Sequence, residues 1–247
     1  MIGCNPVNTP MELNLKIEKC SDPNLKTNKP YRELLGCLNY IAVLTRPDIV
    51  YPVNFLSQFL ENPTDQMYCY AKRILRYLSS TIDKKLTFVR SNDFSVNGYV
   101  DADFGGDVND RKSRSGYIVL MGGNCVSWSS NKQNSVALST AEAEYVALST
   151  AITEGLWIKQ LLEDVHLQVP NFTMYEDNTN AILFSKNGDN NRRCKHIDTR
   201  IKFINDEVAR GRVIVEHIPG KNQIADILTK PVGLELFTRH RNALSVL

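Results

Sequence analysis

The chain has 247 residues, room for one or two domains at roughly 150 residues each. With 43% hydrophobic and 23% charged residues it is not a fully disordered polymer. Lys and Arg number 29 against 27 Asp and Glu, a net charge of +2, so bulk charge does not mark a nucleic-acid binder and any such case rests on where the charges sit.

No apolar run reaches the roughly 20 residues of a membrane span, so no membrane association is expected. Met1-Ile2-Gly3-Cys4-Asn5-Pro6 lacks the basic start and apolar core of a secretory signal, and Ile2 stands where a myristoylation site needs glycine. Cys4, Cys20, Cys37, Cys69, Cys125 and Cys194 are scattered, with no C-x-x-C pair. That argues against a zinc site and a disulfide-stapled scaffold, and for thiols in a reducing, intracellular and cytoplasmic setting.

Residues 1–30 are rich in Pro, Asn, Lys and Ser and read as extended linker. Tyr31 to Leu44 carries Leu34, Leu35, Leu38, Ile41 and Leu44 at helical spacing and stops before Thr45-Arg46-Pro47. Asp48 to Leu60 predicts a second helix with Pro52 in its first turns, and Asn62-Pro63 reads as the cap of a third that runs to about Ser79. Lys72, Arg73 and Arg76 fall on its outward face. Near Asp83 the period shortens to two. Leu86-Thr87-Phe88-Val89 and Val96 to Asp101 read as strands, and Gly116 to Met121, Gly122-Gly123-Asn124 and Cys125 to Ser129 as a hairpin. Ser139 and Glu142 fit the capping box of a long helix. Phe172 to Asp177 is a short strand, Asn178 opens a short helix, and the helix from His196 to Arg210 stops at Gly211. Val213 to His217 is the last strand, followed by a final helix through Ile224 to Leu228. The expected fold class is mixed α/β, with helices packed on a mixed sheet behind a small helical unit.

Four acids sit at element ends: Asp101 and Asp177 close strands, Glu144 lies in the first turns of the long helix, and Asp226 opens the last. Sites on α/β sheets gather at strand ends. Four carboxylates brought together there repel one another unless divalent cations intervene, and hard oxygen donors suit Mg²⁺ or Mn²⁺. The bland reading of each acid alone is a turn, a cap or a solvated helix residue, and only convergence separates the two.

Tyr99-Val100-Asp101-Ala102-Asp103-Phe104-Gly105-Gly106-Asp107, Ser113 to Tyr117, Ser127 to Gln133, Leu138 to Tyr145, Glu176-Asp177-Asn178, Lys195 to Asp198 and Gln223 to Lys230 together resemble, in order, the ribonuclease H region of copia-like LTR retrotransposon Pol polyproteins. Upstream, Tyr31 to Gly36, Thr45 to Ile49 and Ala71 to Leu78 resemble the end of that family's reverse transcriptase. The resemblance implies a ribonuclease H-like five-stranded mixed sheet flanked by helices over residues 86–232. Residues 1–85 are then a reverse transcriptase thumb or connection-like remnant, and 233–247 a C-terminal tail. It also implies a two-metal nuclease cutting the RNA strand of RNA–DNA hybrids, with two Mg²⁺ or Mn²⁺ ions held by Asp101, Glu144, Asp177 and Asp226. The implied partners are the hybrid and the rest of a reverse transcriptase, inside a virus-like particle if the element is active.

Basic residues that track hybrid phosphates are expected at Arg192, Arg193, Lys195, His196 and Arg200, and His217 is the candidate for product release. Asp103 shares a strand face with Asp101 and reads as a second-rank neighbour of the site or, with Asp107, as a turn residue. Asp101-Ala102-Asp103 is no polymerase motif, since an alanine separates its acids, so no polymerase palm is expected. Relatives carry a histidine and an arginine around Phe203 and a tryptophan where Phe104 stands, which touches substrate handling rather than the acids. The sequence starts within the family's polymerase region, as expected of a truncated copy or a gene-model fragment. An alternative is therefore a catalytically inactive or domesticated fragment that binds nucleic acid or a polymerase. An integrase-like nuclease would carry its glutamate last, against the order Asp, Glu, Asp, Asp here.

Overall fold

The computed structural model describes residues 3–169, 172–187 and 198–247. Helices are α1 (Tyr31–Leu44), α2 (Val50–Ser57), α3 (Asp65–Ser80), α4 (Thr140–Asp164), α5 (Thr179–Asn187), α6 (Asp198–Ala209) and α7 (Leu234–Ala243), and strands are β1 (Val96–Asp103), β2 (Arg114–Met121), β3 (Asn124–Lys132), β4 (Phe172–Glu176) and β5 (Val213–His217). Contacts divide the chain into two units. The first holds the residues up to Thr87 with Asp107–Asp110 and Lys230–Leu247, the second Phe88–Gly106 and Arg111–Thr229. None of the described helices is long and apolar enough to cross a membrane.

The first unit is helical. α1 buries Tyr31, Leu35, Leu38 and Ala42, one stripe at steps of four, three and four, and the Tyr31 hydroxyl donates to the Leu56 carbonyl of α2 at 2.8 Å. Pro52 is tolerated because it is the third residue of α2, where the missing N–H has no intrahelical acceptor. The Thr64 hydroxyl accepts from Met67 N and caps α3, so the cap is Thr64 and not the expected Asn62, whose amide instead donates to Cys20 O at 2.6 Å. The Thr45-Arg46-Pro47-Asp48 stretch forms the unit's polar centre. Arg46 binds Asp48 in a fork at 2.9 and 2.8 Å, and Tyr77 donates to the same carboxylate at 2.5 Å. Arg73 and Arg76, expected on an open basic face, reach Glu12 at 3.0 Å and Asn5 O at 2.7 Å in the N-terminal segment.

Residues 233–247 are not a separate tail. Phe237 of α7 stacks edge-on against Tyr77 of α3 at 5.6 Å, and Val246 bridges Leu86. The Leu86–Val89 strand expected from alternation is absent for the same reason. Lys85 and Thr87 exchange main-chain hydrogen bonds with Leu247 and Ser245 rather than with a sheet, and Phe88 and Val89 are exposed.

The second unit is a five-stranded mixed sheet in the order β3-β2-β1-β4-β5 with helices, as expected. β1, β2 and β3 are antiparallel neighbours, while β4 and β5 run parallel to β1. Gly122 and Gly123, both at positive φ, make the two-residue turn between β2 and β3. α4 is the crossover between β3 and β4, and its buried Ala147, Leu148, Ala151 and Ile152 share a core with Val96, Val100, Val119, Phe172 and Met174. Glycine at 155 lets the helix approach closely, since a Cβ there would lie 2.1 Å from the Phe172 ring. The last helix expected at Ile224–Leu228 is one short 3₁₀ turn.

Candidate metal centre

Asp101 and Asp177 meet through strand register. Tyr99 pairs with Tyr175 across the parallel β1–β4 ladder, so two residues further along each chain the two acids come abreast. Glu144 arrives from α4. Ser139 caps that helix by accepting from Glu142 N at 3.2 Å, and the Glu142 carboxylate accepts from Leu138 N at 2.9 Å, one residue beyond the reciprocal bond of a capping box. Glu142 is thus occupied at the cap, two residues before Glu144, which points elsewhere. One carboxylate oxygen from each of Asp101, Glu144 and Asp177 lies within 4.8 Å of the others. Asp101 and Glu144 are buried and Asp177 half-buried.

Asp226 is also buried but does not belong to that group of three. It sits on the 3₁₀ turn Ile224–Leu228, which reaches the site's strands by other means. The Thr229 hydroxyl donates to Asp101 Oδ2 and lies 3.1 Å from the Asp226 carbonyl. Gly116 of β2, the strand partner of Asp101, makes the approach possible, because a Cβ there would come within 2.8 Å of Leu228 and Thr229. Gly220 plays a similar part beside Asp177, whose Oδ2 would lie 3.2 Å from an added Cβ.

Glu176, noted in the sequence only as a neighbour of Asp177, is fully buried. Its Oε1 accepts from Asn178 N at 3.0 Å, and desolvation first, then the charges of Asp177 and Asp101, hold its pKa well above the ordinary glutamate value. A negative potential concentrated enough to be felt by a neighbouring acid is what a cation site needs. The donors are all hard oxygens, so the cluster fits a divalent cation of the Mg²⁺ or Mn²⁺ class.

Asp103 serves the turn after β1: its carboxylate covers Gly106, where a Cβ would lie 1.7 Å from Oδ2. Asp107 caps its own loop by accepting from Asn109 N at 2.8 Å. Phe104 is exposed. Arg192, Arg193, Lys195 and His196 lie outside the described residues. Arg200 is exposed on α6, and His217 is exposed at the end of β5, paired in register with Glu176. Sequence reasoning passed over Gln133, Gln223 and Thr229. All three sit inside the motifs quoted above, but nothing in a motif tells a fastening amide from a surface one.

Over 248 residues the chain is 38% identical to the retrovirus-related Pol polyprotein from transposon RE2 of Arabidopsis thaliana, covering all of this chain. It is 39% identical over 243 residues, 96% of the chain, to the corresponding polyprotein from transposon TNT 1-94 of Nicotiana tabacum. The chain belongs to the copia-type retrotransposon Pol polyproteins. It spans only 17% and 18% of the length of those two relatives. No family model matches it. Among solved structures, LC11-RNase H1 from a compost metagenome aligns with 59% of this chain and 97% of its own, at 20% identity and a TM-score of 0.43.

Proposed function

We propose that this segment of a Pol polyprotein hydrolyses the RNA strand of RNA–DNA hybrids. The observation that carries the reading is the meeting of Asp101, Glu144 and Asp177, from two parallel strands and a crossover helix, with ligand oxygens within 4.8 Å. Membership of the Pol family supports it, because copying RNA into DNA leaves a hybrid whose RNA strand has to be removed.

Asp101, Glu144 and Asp177 hold the cations, and Asp226 is the fourth ligand, carried in on the turn that Thr229 fastens to Asp101. Two bound Mg²⁺ or Mn²⁺ ions would supply Lewis acidity to the attacking water and to the departing 3′ oxygen of an in-line displacement, leaving 5′-phosphate and 3′-hydroxyl ends. The protein's part is to hold the carboxylates converged, and the Thr229 hydroxyl occupies one lone pair of Asp101 Oδ2. Arg192, Arg193, Lys195, His196 and Arg200 are assigned to the phosphates of the hybrid, and His217, at the rim on β5, to product release. The rest of a reverse transcriptase is the natural partner.

Purified chain incubated with an end-labelled hybrid and Mg²⁺ should cut the RNA strand and leave duplex DNA whole, and Asp177→Asn should lose at least about 100-fold in rate. A chain that binds hybrid but leaves it uncut at every Mg²⁺ or Mn²⁺ concentration would be the inactive module instead.

A further inference from the structure

We propose that Gln133 and Gln223 are positioning residues that aim the carboxylates of the metal centre. The inference rests on the reading that Asp101, Glu144 and Asp177 hold divalent cations. Gln223 is 0% and Gln133 5% exposed. Each donates through Nε2 to the main-chain carbonyl of the residue immediately before an acid. Gln223 reaches Val100 O at 2.8 Å, ahead of Asp101, and Gln133 reaches Ala143 O at 2.8 Å, ahead of Glu144. That carbonyl belongs to the rigid peptide plane that also holds the acid's own nitrogen and Cα, so holding the oxygen fixes the plane from which the acid's Cβ departs.

The second contacts tie the parts together. The paired residues of the parallel ladder end at Tyr99 and Tyr175, and beyond them the Gln223 amide spans the gap between the main chains, 3.5 Å from Tyr175 O on β4. Its Oε1 accepts from Ala225 N at 3.3 Å, next to Asp226. One side chain therefore joins the segments that carry Asp101, Asp177 and Asp226. Gln133 also donates to Ser115 Oγ at 2.9 Å on β2, and Ser115 pairs with Ala102, the neighbour of Asp101. It fastens the first turns of α4, and Glu144 with them, to the strand beside Asp101. Like charges relax apart when nothing holds them, and these two amides supply the restraint at the main chain rather than at a carboxylate oxygen.

The test is Mn²⁺ binding to the whole chain without substrate, followed by electron paramagnetic resonance. Gln133→Met and Gln223→Met keep the side-chain length and remove the donors. Each should bind Mn²⁺ about 10–100-fold more weakly than wild type. Ile204→Val, a core truncation on α6, loses stability but should bind as wild type does. If the Met variants do not fold, Ser115→Ala and Gln223→Asn replace them and should weaken binding in the same direction. Wild-type affinity in the glutamine variants, or an equal loss in Ile204→Val, overturns the positioning role alone. Binding that Asp177→Asn leaves unchanged overturns the metal-centre reading beneath it, and the inference falls with it.

Discussion

Asp101, Glu144 and Asp177 show how far one side chain can be understood by itself. Each is an ordinary acid in an ordinary local setting, and only proximity makes the trio costly. Without cations the cluster stores repulsion, so Asp177→Asn should raise stability by about 1 kcal/mol in EDTA while it removes activity. Urea unfolding with and without Mg²⁺ measures this: wild type should gain stability from Mg²⁺ and the variant little. Thr229 is a subtler case, since its hydroxyl touches Asp101 and it sits three residues past Asp226. Thr229→Val preserves shape and removes the bond, and should lower the cleavage rate by about 10-fold or more at fixed Mg²⁺ with a loss of only about 1 kcal/mol in stability. Neither Thr229 nor the two glutamines could be found from residue type. Hydroxyls and amides are common on surfaces, and burial is what turns them into fasteners.

The elements themselves were largely legible, because their signals are local. α1 was expected at the bounds it has, and β5 likewise, since apolar spacing and breakers at the ends decide such segments. The errors fall where a long-range partner decides. Leu86–Val89 alternates like a strand, but its neighbours' main-chain partners are the last residues of the chain, and a two-residue bridge is all that forms. Ile224–Leu228 is apolar enough for a helix yet makes only a 3₁₀ turn, because it must follow Gly116 and Gln223 against the sheet. Gly155 sits inside α4, where alanine would favour the helix by about 1 kcal/mol. The Phe172 ring 2.1 Å from the added methyl outweighs that, because overpacking against a rigid core ring costs about 1–3 kcal/mol. Gly155→Ala should therefore destabilise the protein by up to about 2 kcal/mol in denaturant unfolding, and a gain in stability would show that α4 can lift away from β4.

The last helix, α7, belongs to the helical unit that the first residues begin. His240 of α7 is buried, and desolvation with the nearby charges of Arg239 and Lys230 lowers its pKa to about 4. An imidazole held neutral in the folded state and free to protonate near 6.5 when unfolded means that the unfolded chain binds more protons between those values. Stability is full above about pH 6.5 and falls as pH drops toward 4, by about 3 kcal/mol from this group. His240→Gln should flatten that part of the pH dependence in parallel urea titrations, leaving the slope due to carboxylates.

The sequence by itself determined the order and type of most elements, the family and the acids worth watching, since propensity, periodicity and motif order are all written in neighbouring residues. Tertiary structure alone decided that three of the four acids bring ligand oxygens within 4.8 Å of one another while Asp226 is outside that group, that the C-terminal residues belong to the helical unit, and that buried amides fasten the main chain ahead of Asp101 and Glu144. Those outcomes depend on strand register and close packing between residues from ten to more than a hundred positions apart, and no local pattern carries that geometry.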